Sequence, residues 1–233
     1  YNNVAEKYGD SSSSTMLDDE IRLIETKSID IIISAIINNS KKPINIADVG
    51  CGNGFTISEL FNLYPQNNFF GIENNQKLMK IASNRFNDFD NVKVTKGDIR
   101  TKGIFNNFNL DVLICQRVLI NLLNKQDQKE ALQNTINSLK KGATLIFIEA
   151  FTSGLENLNI LREEFGLEPI LMSHHNLYLD DDFFNVENLT ENFSNLVPTN
   201  FLSSHYFISR GLYPGIIGNG NFKRNSEFAK FFS

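Results

Sequence analysis

The chain reads as an α/β fold: a mostly parallel sheet with helices on both faces. Two observations predict it. Apolar runs of strand length alternate with stretches of helical spacing from Ile44 to Ile148. Acidic residues also recur at the ends of those runs, at Asp48, Glu73, Asp98 and Glu149. Open parallel sheets bind ligands outside the carboxyl ends of their strands, so these acids mark one shared edge.

The elements follow in order. A serine run within Tyr8–Met16 reads as a linker. A helix is predicted from Leu17 to Asn38, with Ile21, Ile24, Ile29, Ile32, Ile33 and Ile36 as its buried face. Ile44–Val49 is a short buried strand, followed by Gly50-Cys51-Gly52-Asn53-Gly54 and a helix from Phe55 to Phe61. Asn68–Ile72 is a second strand, ending at Glu73-Asn74. Val92–Thr95 is a third, running into Gly97-Asp98-Ile99, where an aspartate is also a good turn residue. Leu110–Ile114 is a buried fourth strand, leading into Cys115-Gln116-Arg117-Val118. An amphipathic helix spans Gln126–Lys140 and stops at Lys140-Lys141-Gly142, basic residues before a C-cap glycine. Thr144–Ile148 is the fifth strand, ending at Glu149. Beyond it come a helix, Leu155–Phe165, the segment Met172–Leu179, and a short helix from Asp180. Two β-like runs, Phe193–Phe201 and His205–Leu212, joined by Leu202–Ser204, read as an antiparallel hairpin. The tail from Tyr213 is glycine-rich, then weakly helical.

Composition narrows the function classes. The 233 residues suit one α/β domain with additions, and 41 % hydrophobic content supports a sizeable core. A net charge of −5 argues against a nucleic-acid partner, which needs a basic face. No apolar run has membrane-spanning length; Ile29–Ile37 is short and broken by Asp30 and Ser34. No signal-peptide pattern opens the chain, which begins at Tyr1 rather than methionine, so upstream residues are expected. Cys51 and Cys115 lack metal-type spacing; they read as a reduced, cytoplasmic pair, with a disulfide by proximity as the alternative. Asp180-Asp181-Asp182 reads as a helix start, not a metal site, and no metal is expected.

The glycine-rich turn carries the chemistry. Glycines between a strand and a helix let a ligand lie against bare backbone, with helix N–H groups pointing at it. A dinucleotide site wants G-x-G-x-x-G. Here the spacing is G-x-G-x-G, Phe55 stands where the third glycine would be, and Asp48 lies two residues before the first. No Gly-Lys-Ser/Thr follows, which excludes a Walker-type phosphate loop. Glu73, roughly 20 residues past the loop, suits both hydroxyls of a ribose, whether of NAD or of another adenosine cofactor.

Taken together, Asp48, the loop and Asp98 resemble the motifs of class I S-adenosylmethionine (SAM) dependent methyltransferases, over Ile44 to Leu212. The resemblance implies a seven-stranded sheet completed by the C-terminal hairpin. It implies that Asp48, Gly50, Cys51, Gly52, Asn53 and Gly54 wrap the methionine part of SAM. Glu73 and Asn74 would meet the ribose, Asp98 and Ile99 the adenine, and Gln116 and Arg117 the cofactor, Arg117 taking its carboxylate. Shorter strings resemble a bacterial subgroup that tailors cell-surface glycans and other small molecules: Gln116–Leu119, Leu158–Arg162, His175–Leu179, Tyr206–Arg210, Tyr8–Ser11 and Ser14–Met16.

On this reading residues 1–40 form an N-terminal lid segment and helix. Residues 41–233 form the SAM-binding domain, with acceptor-side insertions around 150–190. Tyr8–Arg22 is either part of the lid or a plain surface loop. Transfer of a methyl from sulfur depends on positioning, and a hydroxyl acceptor gains from a base. His175 is the leading candidate base, or else only a hydrogen-bonding residue. Glu149 is a base, an orienting group or a helix cap, and Tyr206 touches the acceptor or fills core. Tyr8, Arg162, His174, Asn176, Tyr178 and Arg210 are candidate acceptor contacts. Arg162 and Arg210, converging with Arg117, would suit an anionic acceptor. The expected function is O-methylation of a sugar, sugar nucleotide or phosphorylated metabolite. The rivals are an N-methyltransferase of a small amine, a non-catalytic SAM-binding subunit, a nucleic-acid methyltransferase and an NAD-dependent oxidoreductase. The fourth strand is followed by Cys115-Gln116-Arg117-Val118, without the prolines of amino-directed DNA enzymes.

Overall fold

A computed structural model describes residues 18–185, 203–218, 221, 223 and 225–231. Its centre is a parallel sheet of five strands in the order β3-β2-β1-β4-β5. They are β1 (Asn45–Val49), β2 (Asn68–Glu73), β3 (Val92–Lys96), β4 (Val112–Gln116) and β5 (Thr144–Ile148). Helix α1 (Asp19–Asn39) precedes the sheet, and α2 (Phe55–Leu63), α3 (Gln76–Arg85), α4 (Lys125–Ser138) and α5 (Thr152–Glu164) follow the strands.

Alternate strand residues feed two cores, as pleating requires. Ile46, Phe69, Val112, Ile114, Ile146 and Ile148 pack with Ile29 and Ile33 of α1, Ile57 and Leu60 of α2, and Ala82 of α3. Ala47, Val49, Ile72, Leu113 and Cys115 face the other way, against Phe105, Leu119 and Ala131, Leu132 and Ile136 of α4. Helix α3 was not singled out by the sequence pattern; Asn75 caps it by accepting from Lys77 and Leu78 N–H.

Helix α1 departs from its expected face. Ile21, Ile29 and Ile33 are buried, but Ile32 is 40 % exposed, while Arg22 and Glu25 are buried. A 3.6-residue period places Glu25 on the line of Ile21, Ile29 and Ile33, so a carboxylate stands on the buried stripe.

The C-terminal hairpin is a correction. Five strands stand among the described residues, not seven, and His205–Leu212 is helical. It belongs to α6 (Ser203–Tyr206), a π-helical turn (Phe207–Leu212) and α7 (Tyr213–Ile217), with α8 (Glu227–Phe231) beyond. The reason is packing. His205 and Ser209, four residues apart, are both buried, and Gly211 lies so close to Leu161 that an added Cβ would sit 2.7 Å from Leu161 Cδ2. Ser209 Oγ donates to His205 O at 2.6 Å, a contact that a helical turn brings within reach, and the β-like aromatic character of the run yields to it. Phe193–Phe201 lies outside the described residues. Asp180–Asn185 forms turns rather than the expected helix, with Phe183 N–H donating to Asp180 O and Asn185 N–H to Asp182 O. No described helix is long and apolar enough to cross a membrane.

Candidate cofactor and acceptor site

Parallel register aligns the strand ends. Val49 lies opposite Ile72 on one side and Cys115 on the other. The backbone then leaves the sheet through a loop in which Gly50, Gly52 and Gly54 all have φ between 59° and 79°. Left-handed backbone three times in five residues is accessible to glycine alone without strain. Gly50 and Cys51 N–H both donate to Ile72 O, at 2.7 and 3.2 Å, which hangs the loop on β2. At Gly50 a Cβ would sit 2.4 Å from Val118 Cγ2, so the segment after β4 packs directly on the loop.

Glu73 ends β2 and is buried. Its Oε2 accepts from Gly52 N–H at 2.8 Å and its Oε1 from Asn75 N–H at 2.7 Å. Burial pushes its pKa up, and those backbone donors pull it back. Each oxygen retains further acceptor capacity for a hydroxyl. Asp48, 3 % exposed at the end of β1, is pushed up to about 8 by burial, with the Glu73 charge adding and Arg22 opposing. Burial also raises the Cys51 and Cys115 thiols, which keeps both protonated and inert. Asn53 is buried in the loop and Ile99 in the core beside β2. Asn74 Nδ2 donates to Asp98 Oδ2 at 3.0 Å. Asp98 is held by Arg100, whose hydrogen bonds depress its pKa; Arg100 also bridges to Asp127 at 2.9 Å.

The edge of β4 is bound to α1. Glu25, fully buried, accepts from Gln116 Nε2 at 2.6 Å and from Arg117 Nε and Nη2 at 2.8 and 2.5 Å. Gln116 Oε1 accepts from the Thr56 hydroxyl at 3.0 Å, so Gln116 joins α1 to the start of α2. Arg117 has φ 55°, unusual for a residue with a side chain. Burial alone would lower its pKa, but the Glu25 charge, Tyr206 and the hydrogen bonds to both together outweigh that and raise it. Arg117 Nη2 also donates to Tyr206 Oη at 3.4 Å. Arg22 stacks over the Phe55 ring at 4.7 Å, just past the glycine loop, and burial lowers its pKa to about 10.

Glu149 takes the capping role. Its carboxylate accepts from the N–H groups of Val118, Leu119 and Ile120 at 3.0, 2.9 and 3.2 Å, closing a single 3₁₀ turn, Leu119–Asn121. Burial raises its pKa to about 7 against the pull of those three donors.

The three arginines do not converge. Arg162, 5 % exposed, donates to the backbone carbonyls of Glu168, at 2.8 Å, and of Arg210. Arg210 pairs with Asp18, the N-cap of α1, and so joins the π-helical turn to the N-terminal helix. His174 and His175 are exposed on a turn, where Ser173 Oγ lies 2.7 Å from His175 Nδ1. Asn176 and Tyr178 are half-buried beside it, and Leu177 N–H donates to Ile120 O at 2.7 Å, which ties the segment to the end of β4. Tyr8 lies outside the described residues, as does the expected lid up to residue 17; Asp18–Arg22 opens α1. Sequence reasoning missed Glu25, Arg22, Asp18 and Thr56. The signal for Glu25 was its place on the buried stripe of α1, where a charge needs a partner.

A profile described as a methyltransferase domain matches residues 40–191, more than half of the chain. The chain belongs to the methyltransferase-domain family. Magnesium protoporphyrin IX methyltransferase (ChlM) from Synechocystis PCC 6803, solved with bound SAH, is 18 % identical over 82 % of this chain and 81 % of its own, with a TM-score of 0.55. The CurJ carbon methyltransferase is 18 % identical over 78 % of this chain and 48 % of its own, with a TM-score of 0.54. The mitomycin 7-O-methyltransferase MmcR is 17 % identical over 47 % of this chain, with a TM-score of 0.42, and the chain spans only 32 % of its length. The likenesses to ChlM and CurJ show a shared fold. No curated protein matches the sequence.

S-adenosylmethionine is the cofactor. The residues fit it. A carboxylate at the end of β2 with capacity on both oxygens suits a vicinal diol. An edge that gathers Asp48, Glu73 and Asp98 suits a ligand carrying a sulfonium and an ammonium group.

Proposed function

We propose that the protein transfers the methyl group of SAM to an oxygen of a small hydroxylated acceptor, of the sugar class. The carrying observation is the Glu73 carboxylate bridging Gly52 and Asn75 N–H groups beside three left-handed glycines. Bound there, SAM supplies an electrophilic methyl on a positively charged sulfur. Asp48, the glycine loop, Glu73 and Asn74 would hold it, with Gln116 and Arg117 at the edge of β4.

The acceptor class is supported by a groove between the start of α4, α5 and the 172–180 segment. Lys125, Thr152, Asn159 and Tyr178 line it together with the apolar Leu155, Met172 and Leu177. Lys125 is paired with Asp180 at 2.5 Å, so the polar groups present favour hydroxyls over phosphate. Arg162 and Arg210 are engaged within the chain, which weakens the case for an anionic acceptor.

Positioning carries much of such a rate, and a base adds to it. His175 remains the proposed base: its imidazole is exposed on the acceptor-side turn, and imidazole is the side chain suited to proton transfer there. His175→Ala is expected to bind SAH normally and lose most turnover; near-normal turnover leaves positioning alone. The reading as a whole is tested by SAH release from SAM against pools of sugars and nucleotide sugars, phosphorylated metabolites, small amines, and tRNA with duplex DNA. Release with the sugar pool is expected. Release only with amines or nucleic acid would overturn the acceptor, and failure to bind SAM would overturn the function.

A further inference from the structure

We infer that Glu25 is a positioning residue for the amino-acid end of the cofactor, supplied by a helix that precedes the matched methyltransferase domain. The inference rests on the SAM reading of the glycine loop. Helix α1 spans Asp19–Asn39, and the family match begins at residue 40. Yet the fully buried carboxylate of α1 takes three hydrogen bonds, of 2.5 to 2.8 Å, from the two residues that end β4 and begin its loop.

Those two residues need an external hold. Arg117 is in the left-handed region, which disfavours a residue with a Cβ and persists only where surroundings over-determine it. Its N–H is fixed by Ile148 O at 2.7 Å and its carbonyl by Asn121 Nδ2 at 2.5 Å. Its side chain is fixed by Glu25. Next to it, Val118 fills the space against Gly50, and Gln116 binds Thr56 at the start of α2. Glu25 therefore sets three things at once: the aim of Arg117, the rotamer of Gln116, and the seat of the β4 loop on the glycine loop. It also neutralises Arg117, so that the arginine presents its remaining donors to a carboxylate without standing as an isolated buried charge.

Two ligands that differ only at the amino-acid end test this. SAH carries the α-amino and carboxylate groups; 5′-methylthioadenosine keeps the adenosine and thioether and lacks them. Calorimetry would compare both ligands on wild type, Glu25→Gln, Glu25→Asp, Arg117→Gln and the Glu25→Gln/Arg117→Gln double variant, with melting temperature alongside. Glu25→Gln is expected to weaken SAH by about tenfold, the worth of a lost hydrogen bond to a charged group, and to leave methylthioadenosine within about twofold. The double variant should be no weaker for SAH than the worse single one, because both act on one contact. Glu25→Asp should recover part of the SAH affinity. Equal losses for both ligands, or no loss for either at an unchanged melting temperature, would overturn the positioning role. Should Glu25→Gln unfold, Glu25→Asp, which keeps the charge beside Arg117 and shortens its reach, supplies the comparison between the two ligands. Wild type binding neither ligand would overturn the SAM reading instead.

Discussion

Replacing Asp48 by asparagine tests the electrostatics of the site. Asp48 is 3 % exposed, and burial beside Glu73 raises its pKa to about 8 in the folded protein. In the unfolded chain it titrates near about 3.9. Between those values the unfolded state binds fewer protons than the folded one, so stability falls as pH rises across the window. The slope is about 1.4 kcal/mol per pH unit for one group. From about pH 5.5 to about pH 7.5 the wild type therefore loses about 2.7 kcal/mol that Asp48→Asn retains, since an amide mimics the protonated carboxyl. Glu149, raised to about 7, adds a slope of the same sign, but it is common to both proteins and cancels in the comparison. Urea unfolding followed by circular dichroism at three pH values, without cofactor, measures the difference. Parallel curves for the two proteins, or a steeper fall in the variant, would refute the argument. Binding should show the complementary effect. A ligand with a sulfonium and an ammonium favours ionised Asp48, so SAM affinity should rise toward about pH 8 in wild type and stay flat in Asp48→Asn.

Three further outcomes are expected. Gly50→Ala should destabilise by roughly 3 kcal/mol, seen as a lower urea midpoint, because φ is 70° and the new Cβ meets Val118 Cγ2 at 2.4 Å. Glu149→Ala should also lower stability by roughly 3 kcal/mol, because three backbone N–H groups lose their acceptor; an unchanged urea midpoint would remove the capping role. Arg162→Ala should lower the melting temperature while SAH affinity stays within about twofold, because its guanidinium serves backbone carbonyls of Glu168 and Arg210; a stable variant with a raised acceptor KM would restore the anion-binding role.

Local pattern alone located the strand ends and the glycine loop. Strands whose side chains are buried on both faces read as continuous apolar runs, and the break from Val49 into Gly50-Cys51-Gly52-Asn53-Gly54 marks where backbone must turn left-handed. The acids at Asp48 and Glu73 fall at the carboxyl ends because parallel register aligns one strand end with the next. None of that needs a long-range partner. What needed tertiary structure is the choice among partners distant in sequence. Glu149 could have been base or cap, and it is the approach of Val118–Ile120 N–H groups that makes it a cap. His205–Leu212 has strand-like residues, yet burial of His205, Ser209, Arg210 and Gly211 against α5 and α1 makes it a π-helical turn. Glu25 and Arg117 are 92 residues apart, and their ion pair exists only because α1 and the end of β4 meet over the sheet. Turn geometry and strand burial are written in neighbouring residues; the pairing of buried charges is decided by which surfaces the finished fold brings together.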